Sequence, residues 1–237
     1  MSARGRQEAG ERLGIIGGTF DPIHLGHLAA ATAASDALDL DEVLFIPSHH
    51  PPHRPVQPTA SAFHRFAMVS LALAADERFV ASDWELQRHG PSFTADTLRA
   101  LQDTGLAAWQ LFFIIGTDAF AEIATWHDYP GVLDLAHFVV ISRPGQSFDA
   151  LRQRLPEWVP RMGDVATQAG RTSRSSEVPA GGTGGPSSTA IFLVPANTPD
   201  VSSTVIRGRA AARGSLDGLV PREVERHIRR HRLYASR

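Results

Sequence analysis

Cysteine and lysine are both absent from the 237 residues, every one of the 23 basic side chains being arginine. Without lysine there is no Schiff base, no lysyl-adenylate intermediate and no lysine-bearing phosphate loop; without cysteine there is no thiolate nucleophile, disulfide or Cys-ligated zinc. Much of covalent catalysis is excluded. A global field of one sign is missing too, since the formal charge is -2. Nothing in that balance calls for nucleic acid or an anionic membrane, and small anions must be met by local groups. No run of about 18 apolar residues offers a membrane span. Met1 to Glu11 is polar and lacks the apolar segment of a signal peptide, which predicts a cytoplasmic protein.

What is present is an ordinary globular composition, 43% hydrophobic and 20% charged, large enough for one α/β domain or two small ones. Short apolar runs read as buried strands at Leu13 to Gly17, Val43 to Ile46, Phe79 to Ser82, Leu111 to Ile115, Phe138 to Ile141 and Ile191 to Val194. Helical patterns fit between and after them, at His24 to Leu38, Ala62 to Ala74, Thr94 to Leu101, Ala119 to Ile123, Phe148 to Leu155, Thr204 to Ala212 and Arg222 to Arg230. Apolar strands separated by helices predict a parallel sheet covered on both faces, an α/β, Rossmann-like doubly wound fold with a small C-terminal helical part. Residues 1–12 read as a disordered tail and 13–162 as the core. Residues 163–190, rich in Gly, Ser, Thr and Pro, read as a flexible insertion, with a lid as the alternative. Residues 191–237 return to complete the domain.

The strongest signal is Gly17-Gly18-Thr19-Phe20-Asp21-Pro22-Ile23-His24-Leu25-Gly26-His27, which follows the first strand and opens the first long helix. Glycines let the backbone approach a ligand, and a helix amino terminus offers N–H groups and a positive dipole to an anion. His24 and His27, three residues apart, are expected on one helical face, with Gly26 leaving room for a base or ribose. The Gly-x-Gly-x-x-Gly fingerprint of dinucleotide cofactors cannot be laid on this turn. A second candidate is Ser202-Ser203-Thr204-Val205-Ile206-Arg207 at a later helix start. Alone it reads as an ordinary helix cap; beside the first motif it reads as a site for the β and γ phosphates.

These motifs resemble those of the nicotinate-nucleotide adenylyltransferases within the HxGH nucleotidyltransferases. The resemblance runs over nearly the whole chain. It also includes Pro51-Pro52-His53-Arg54, Arg65 with Met68, Arg88 to Leu98, Phe113-Ile114-Ile115-Gly116-Thr117-Asp118, Trp126, Arg143-Pro144-Gly145 and the tail from Leu219 to Tyr234. It implies that His24, His27 and Arg207 contact the ATP phosphates, with Ser203 and Thr204 as helix-start donors. Gly17, Gly18, Thr19, Phe20 and Gly26 would line ATP, Gly116 and Asp118 would face adenosine, and Arg54 would meet a nearby phosphate. His53 and Arg143 would take the mononucleotide phosphate, beside Ser48. Trp126 would stack on the pyridine ring, with backbone around Thr94 and His127 receiving the nicotinate carboxylate. Three positions depart from the family's usual residues: Ser48 stands for asparagine, and Phe93 and His127 each for tyrosine.

The implied reaction joins nicotinic acid mononucleotide to the AMP part of ATP by in-line attack on the α phosphorus, releasing pyrophosphate. Mg²⁺ would be held mainly by ATP oxygens, and no protein nucleophile or protein metal site is required. Plainer readings remain for single residues. Trp126 can be a core aromatic, Asp118 a helix cap, and His49, His50 and His53 a metal group in place of a phosphate contact. Arg222, Arg226, Arg229, Arg230 and Arg232 suit a solvated helix face. A nicotinamide-mononucleotide enzyme and a noncatalytic nucleotide- or RNA-binding regulator are the alternative functions, and a homo-oligomer stays open.

Overall fold

The computed structural model describes residues 11–51, 58–88, 90–142, 147–167 and 189–235. Seven strands form one all-parallel sheet: β1 (Leu13–Gly18), β2 (Glu42–Pro47), β3 (Phe79–Ala81), β4 (Leu111–Gly116), β5 (His137–Ile141), β6 (Met162–Gly163) and β7 (Ile191–Val194). Their spatial order is β3-β2-β1-β4-β5-β7-β6. The helices are α1 (Leu25–Leu38), α2 (Ala62–Leu73), α3 (Thr94–Gln102), α4 (Thr117–Phe120), α5 (Asp149–Arg154), α6 (Ser203–Ala211) and α7 (Arg222–Arg230).

Strand alternation builds two cores from one sheet. Ile16, Phe112, Ile114, Val139, Ile141, Phe192 and Val194 face α1, α2 and the C-terminal helices. Their neighbours Ile15, Phe113, Ile115, Phe138, Val140, Ile191 and Leu193 face the layer that contains α3 and Phe120 of α4. Helix α1 is rich in alanine, the best helix former, and its buried face is Ala31, Ala34, Ser35 and Leu38. Such small side chains let it lie close on the sheet. A side chain at Gly14 would bring its Cβ within 2.9 Å of both Leu40 and Val43.

The six expected strands and seven expected helices all form, and all but one helix have boundaries within one residue of those expected. Two differences matter. The helix expected over Ala119 to Ile123 starts earlier, at Thr117 directly after β4, and gives way to a 3₁₀ turn at Ile123–Thr125. A seventh strand, β6, sets Met162 opposite Ile191 and Gly163 opposite Phe192, so Gly163 is a sheet residue. Two residues carry almost no periodicity, which is why it was invisible in the sequence. Most of the expected insertion, residues 168–188, lies outside the described residues. At the other end Arg12 is buried, and its amide donates to Asp41 at 2.8 Å.

Candidate active site

The strand order reverses direction between β1 and β4, and the carboxyl ends of parallel strands at such a switch are where this architecture holds ligands. The chain after β1 turns sharply there. Phe20 has φ 48°, a left-handed conformation that L side chains rarely adopt, and its ring is buried. His24 is the N-cap of α1, with extended backbone, and its amide donates to His27 Nδ1 at 3.2 Å. The two imidazoles stack, 3.7 Å between centroids and 24° between planes, and the Phe20 ring meets His27 edge-on at 5.0 Å. His24 immediately precedes the helix and His27 is its third residue, and the stacking brings their rings together. Gly26 also has a different reason. A Cβ there would lie 3.1 Å from His24 Nδ1, so the missing side chain makes room for the histidine ring.

The second motif lands on the same turn. Ser202 caps α6 by accepting the Val205 amide at 3.3 Å. The Ser203 hydroxyl donates to Pro22 O at 3.0 Å. Arg207 donates through Nη1 to Asp21 O at 2.7 Å and through Nη2 to Thr204 Oγ1 at 3.1 Å. Residues nearly two hundred positions apart thus form one surface of imidazole, guanidinium, hydroxyl and helix-start amides. Gly17, Gly18 and Thr19 border it at the end of β1, and the Ser48 amide closes on Gly18 O at 2.8 Å. Gly116 ends β4 with open space where a Cβ would stand, and Asp118 is exposed just beyond.

A second group gathers at the start of α3. The Phe93 ring stacks on His127, 4.2 Å apart and 25° from parallel, and neighbouring Trp126 lies edge-on to Phe113 at 6.0 Å. Two of the three unusual residues are thus partners of one another. Thr94 opens α3 beside them. The segment before α3 is fastened by Glu85, which accepts Thr97 Oγ1 at 2.6 Å and bonds the Ser92 hydroxyl. Ser92 Oγ also accepts the His49 amide at 2.9 Å, and the Ser92 amide donates to His50 O. The loop after β2 and the start of α3 are joined by this network. His49 Nδ1 lies 2.9 Å from Arg88 O, so it is engaged there. A cavity of about 140 Å³ lies behind Phe93, lined by Trp84, Glu85, Arg88 and Thr97 among others, and includes none of the histidine turn. His53, Arg54 and Arg143 lie outside the described residues.

Asp21, Arg65 and Glu85 had no role assigned from sequence. Arg65 had left a signal: it falls on the buried stripe of α2 with Met68, Val69 and Ala72, where a charge needs a partner. It donates to Thr19 O at 2.7 Å.

Residues 15–209 match the Cytidylyltransferase-like family. A protein of Trichlorobacter lovleyi named "Probable nicotinate-nucleotide adenylyltransferase" is 41% identical over 223 residues, 94% of this chain and 99% of its own length. The chain belongs to the nicotinate-nucleotide adenylyltransferase family. A second relative of that name, from Symbiobacterium thermophilum, is 40% identical over 94% of this chain and 95% of its own. The fold agrees with that of Plasmodium falciparum nicotinic acid mononucleotide adenylyltransferase complexed with NaAD, at a TM-score of 0.67 and 14% identity. That likeness covers 94% of this chain and 97% of the other. Family membership makes the chain a nucleotidyltransferase. Among the described residues no helix is long and apolar enough to cross a membrane.

Proposed function

We propose that this chain transfers the adenylyl group of ATP to nicotinic acid mononucleotide, forming nicotinic acid adenine dinucleotide and pyrophosphate. The observation that carries the reading is the convergence of His24, His27 and Arg207 on one turn at the sheet's switch point. The mononucleotide phosphate is already anionic, so it can attack the α phosphorus directly while the P–O bond to pyrophosphate breaks opposite it. The protein's work is to align two polyanions and hold charge where it develops. His24 and His27 would meet the α and β phosphates. Arg207, Ser203 and Thr204 would hold the leaving pyrophosphate, and the glycines of β1 would let the nucleotide approach the backbone. Gly116 and Asp118 would border adenosine. Trp126 would stack on the pyridine ring, with amides at Thr94 and His127 toward its carboxylate and Ser48 at the end of β2 beside it. His53, Arg54 and Arg143 belong to the same proposal as phosphate partners.

Among the described residues no group of three His, Asp or Glu side chains is placed to hold a metal ion, and the Asp21 carboxylate already accepts three protein donors. Mg²⁺ would be held mainly through ATP oxygens and water, where it would supply positive charge to the triphosphate. The test is pyrophosphate release from ATP and Mg²⁺ with nicotinic acid mononucleotide, nicotinamide mononucleotide or phosphopantetheine in parallel. The first should be consumed fastest. Preference for the second would move the substrate, and silence with all three would leave a nucleotide-binding protein.

A further inference from the structure

Three side chains that no step of the transfer uses meet beneath the histidine turn. Asp21, Arg65 and Tyr234 are 3%, 1% and 9% exposed, and they come from the turn itself, from α2 and from the segment after α7. The Asp21 carboxylate accepts the Tyr234 hydroxyl at 2.8 Å, the Thr59 amide at 2.8 Å and the Ala60 amide at 3.1 Å. Its own carbonyl oxygen takes the Arg207 guanidinium, and Arg65 takes the carbonyl two residues earlier. One residue thus ties the phosphate turn to α6, to the loop entering α2 and to Tyr234 after α7. A buried carboxylate stays in place only while such donors surround it. Burial pushes the Tyr234 phenol well above its ordinary value, and the Asp21 charge and hydrogen bond add to this, so it remains a donor.

We propose that Tyr234, acting through Asp21, is a positioning residue that sets the register of His24 and His27 over the phosphates. The path is short. Phe20, next to Asp21, holds an unfavourable left-handed backbone that its surroundings must maintain, and its ring edge touches His27, which stacks on His24. Losing one donor at Asp21 should let the turn relax and the imidazoles drift from the α phosphoryl. The inference rests on the adenylyl-transfer reading for its kinetic consequence, though its structural half does not need it.

The experiment compares wild type with Tyr234→Phe, which deletes one oxygen, and with Tyr129→Phe, the same change at the other tyrosine, whose hydroxyl bonds Glu157 and Trp158. Steady-state kinetics with ATP and nicotinic acid mononucleotide are read beside the His24 and His27 ring proton shifts, which the stacked rings make sensitive to geometry. Expected for Tyr234→Phe is a kcat lower by about tenfold to a hundredfold. Both KM values should hold within about threefold and the histidine resonances should move, with Tyr129→Phe behaving as wild type. Normal kcat with unmoved resonances, even at lowered thermal stability, would overturn the proposal. So would an effect confined to KM. If the wild type makes no dinucleotide yet Tyr234→Phe shifts the resonances, the transfer reading fails and the positioning stands. Thr59→Pro, which removes an amide donor to the same carboxylate from an exposed loop, gives the same comparison should Tyr234→Phe not fold.

Discussion

Arg207 Nη1 lies 2.7 Å from the backbone oxygen of Asp21, so the start of α6 is bolted to the turn that follows β1. The guanidinium braces the turn, and in the proposed transfer it would also face phosphate, two tasks that need its planar fork. Arg207→Ala should lower kcat by about a hundredfold to a thousandfold. Arg207→Lys keeps the charge without the fork and should recover only part of the loss. Full recovery in the lysine variant would show that charge alone matters.

Gly26→Ala adds one methyl that would lie 3.1 Å from His24 Nδ1 and 3.2 Å from Cε1, closer than ordinary contact. The imidazole must shift by a few tenths of an ångström. Turnover should fall about tenfold although no functional group is lost. Meanwhile the unfolded chain loses freedom worth roughly 0.5 to 1 kcal/mol, so thermal stability should hold. A variant that melts early yet turns over normally when folded would refute this account of Gly26.

Much of the fold was legible because fully apolar strands such as Ile191–Val194 and long patterned helices carry strong signals. That the two motifs meet at one strand-to-helix turn was foreshadowed by glycines and histidines directly after the first strand and a hydroxyl-rich helix start. Three kinds of feature were not. Strand β6 is two residues long. The stacking of His24 on His27 depends on an N-cap conformation that helical periodicity does not describe. The Asp21, Arg65 and Tyr234 cluster unites residues up to 213 positions apart, a separation that no local pattern encodes.

Trp126 is half-buried, packed edge-on to Phe113 with part of its ring still accessible. If that ring stacks on the pyridine, Trp126→Ala should raise the mononucleotide KM by between about fivefold and a hundredfold, the range typical of aromatic stacking on a base. The ATP KM should barely change. A selective loss of ATP affinity would exchange the two subsites.

Glu85 is buried, and desolvation raises its carboxyl above the ordinary 4.5 despite hydrogen bonds from Thr97 and Ser92 and the nearby Arg88 charge. A folded-state pKa above the unfolded one means the native protein holds the proton longer. Its contribution to stability is full below the unfolded pKa and is lost as pH rises through the folded one. Unfolding free energy should therefore decline with pH just above 4.5 by a component that Glu85→Gln lacks. Identical pH slopes in denaturant titrations of the two proteins would contradict that assignment.

The most direct test of direct transfer uses ATP carrying sulfur at the α phosphorus in one known configuration, with nicotinic acid mononucleotide as acceptor and Mg²⁺ present. One in-line displacement predicts a dinucleotide phosphorothioate inverted at phosphorus. Retention would require two displacements through an adenylylated protein and would contradict the account.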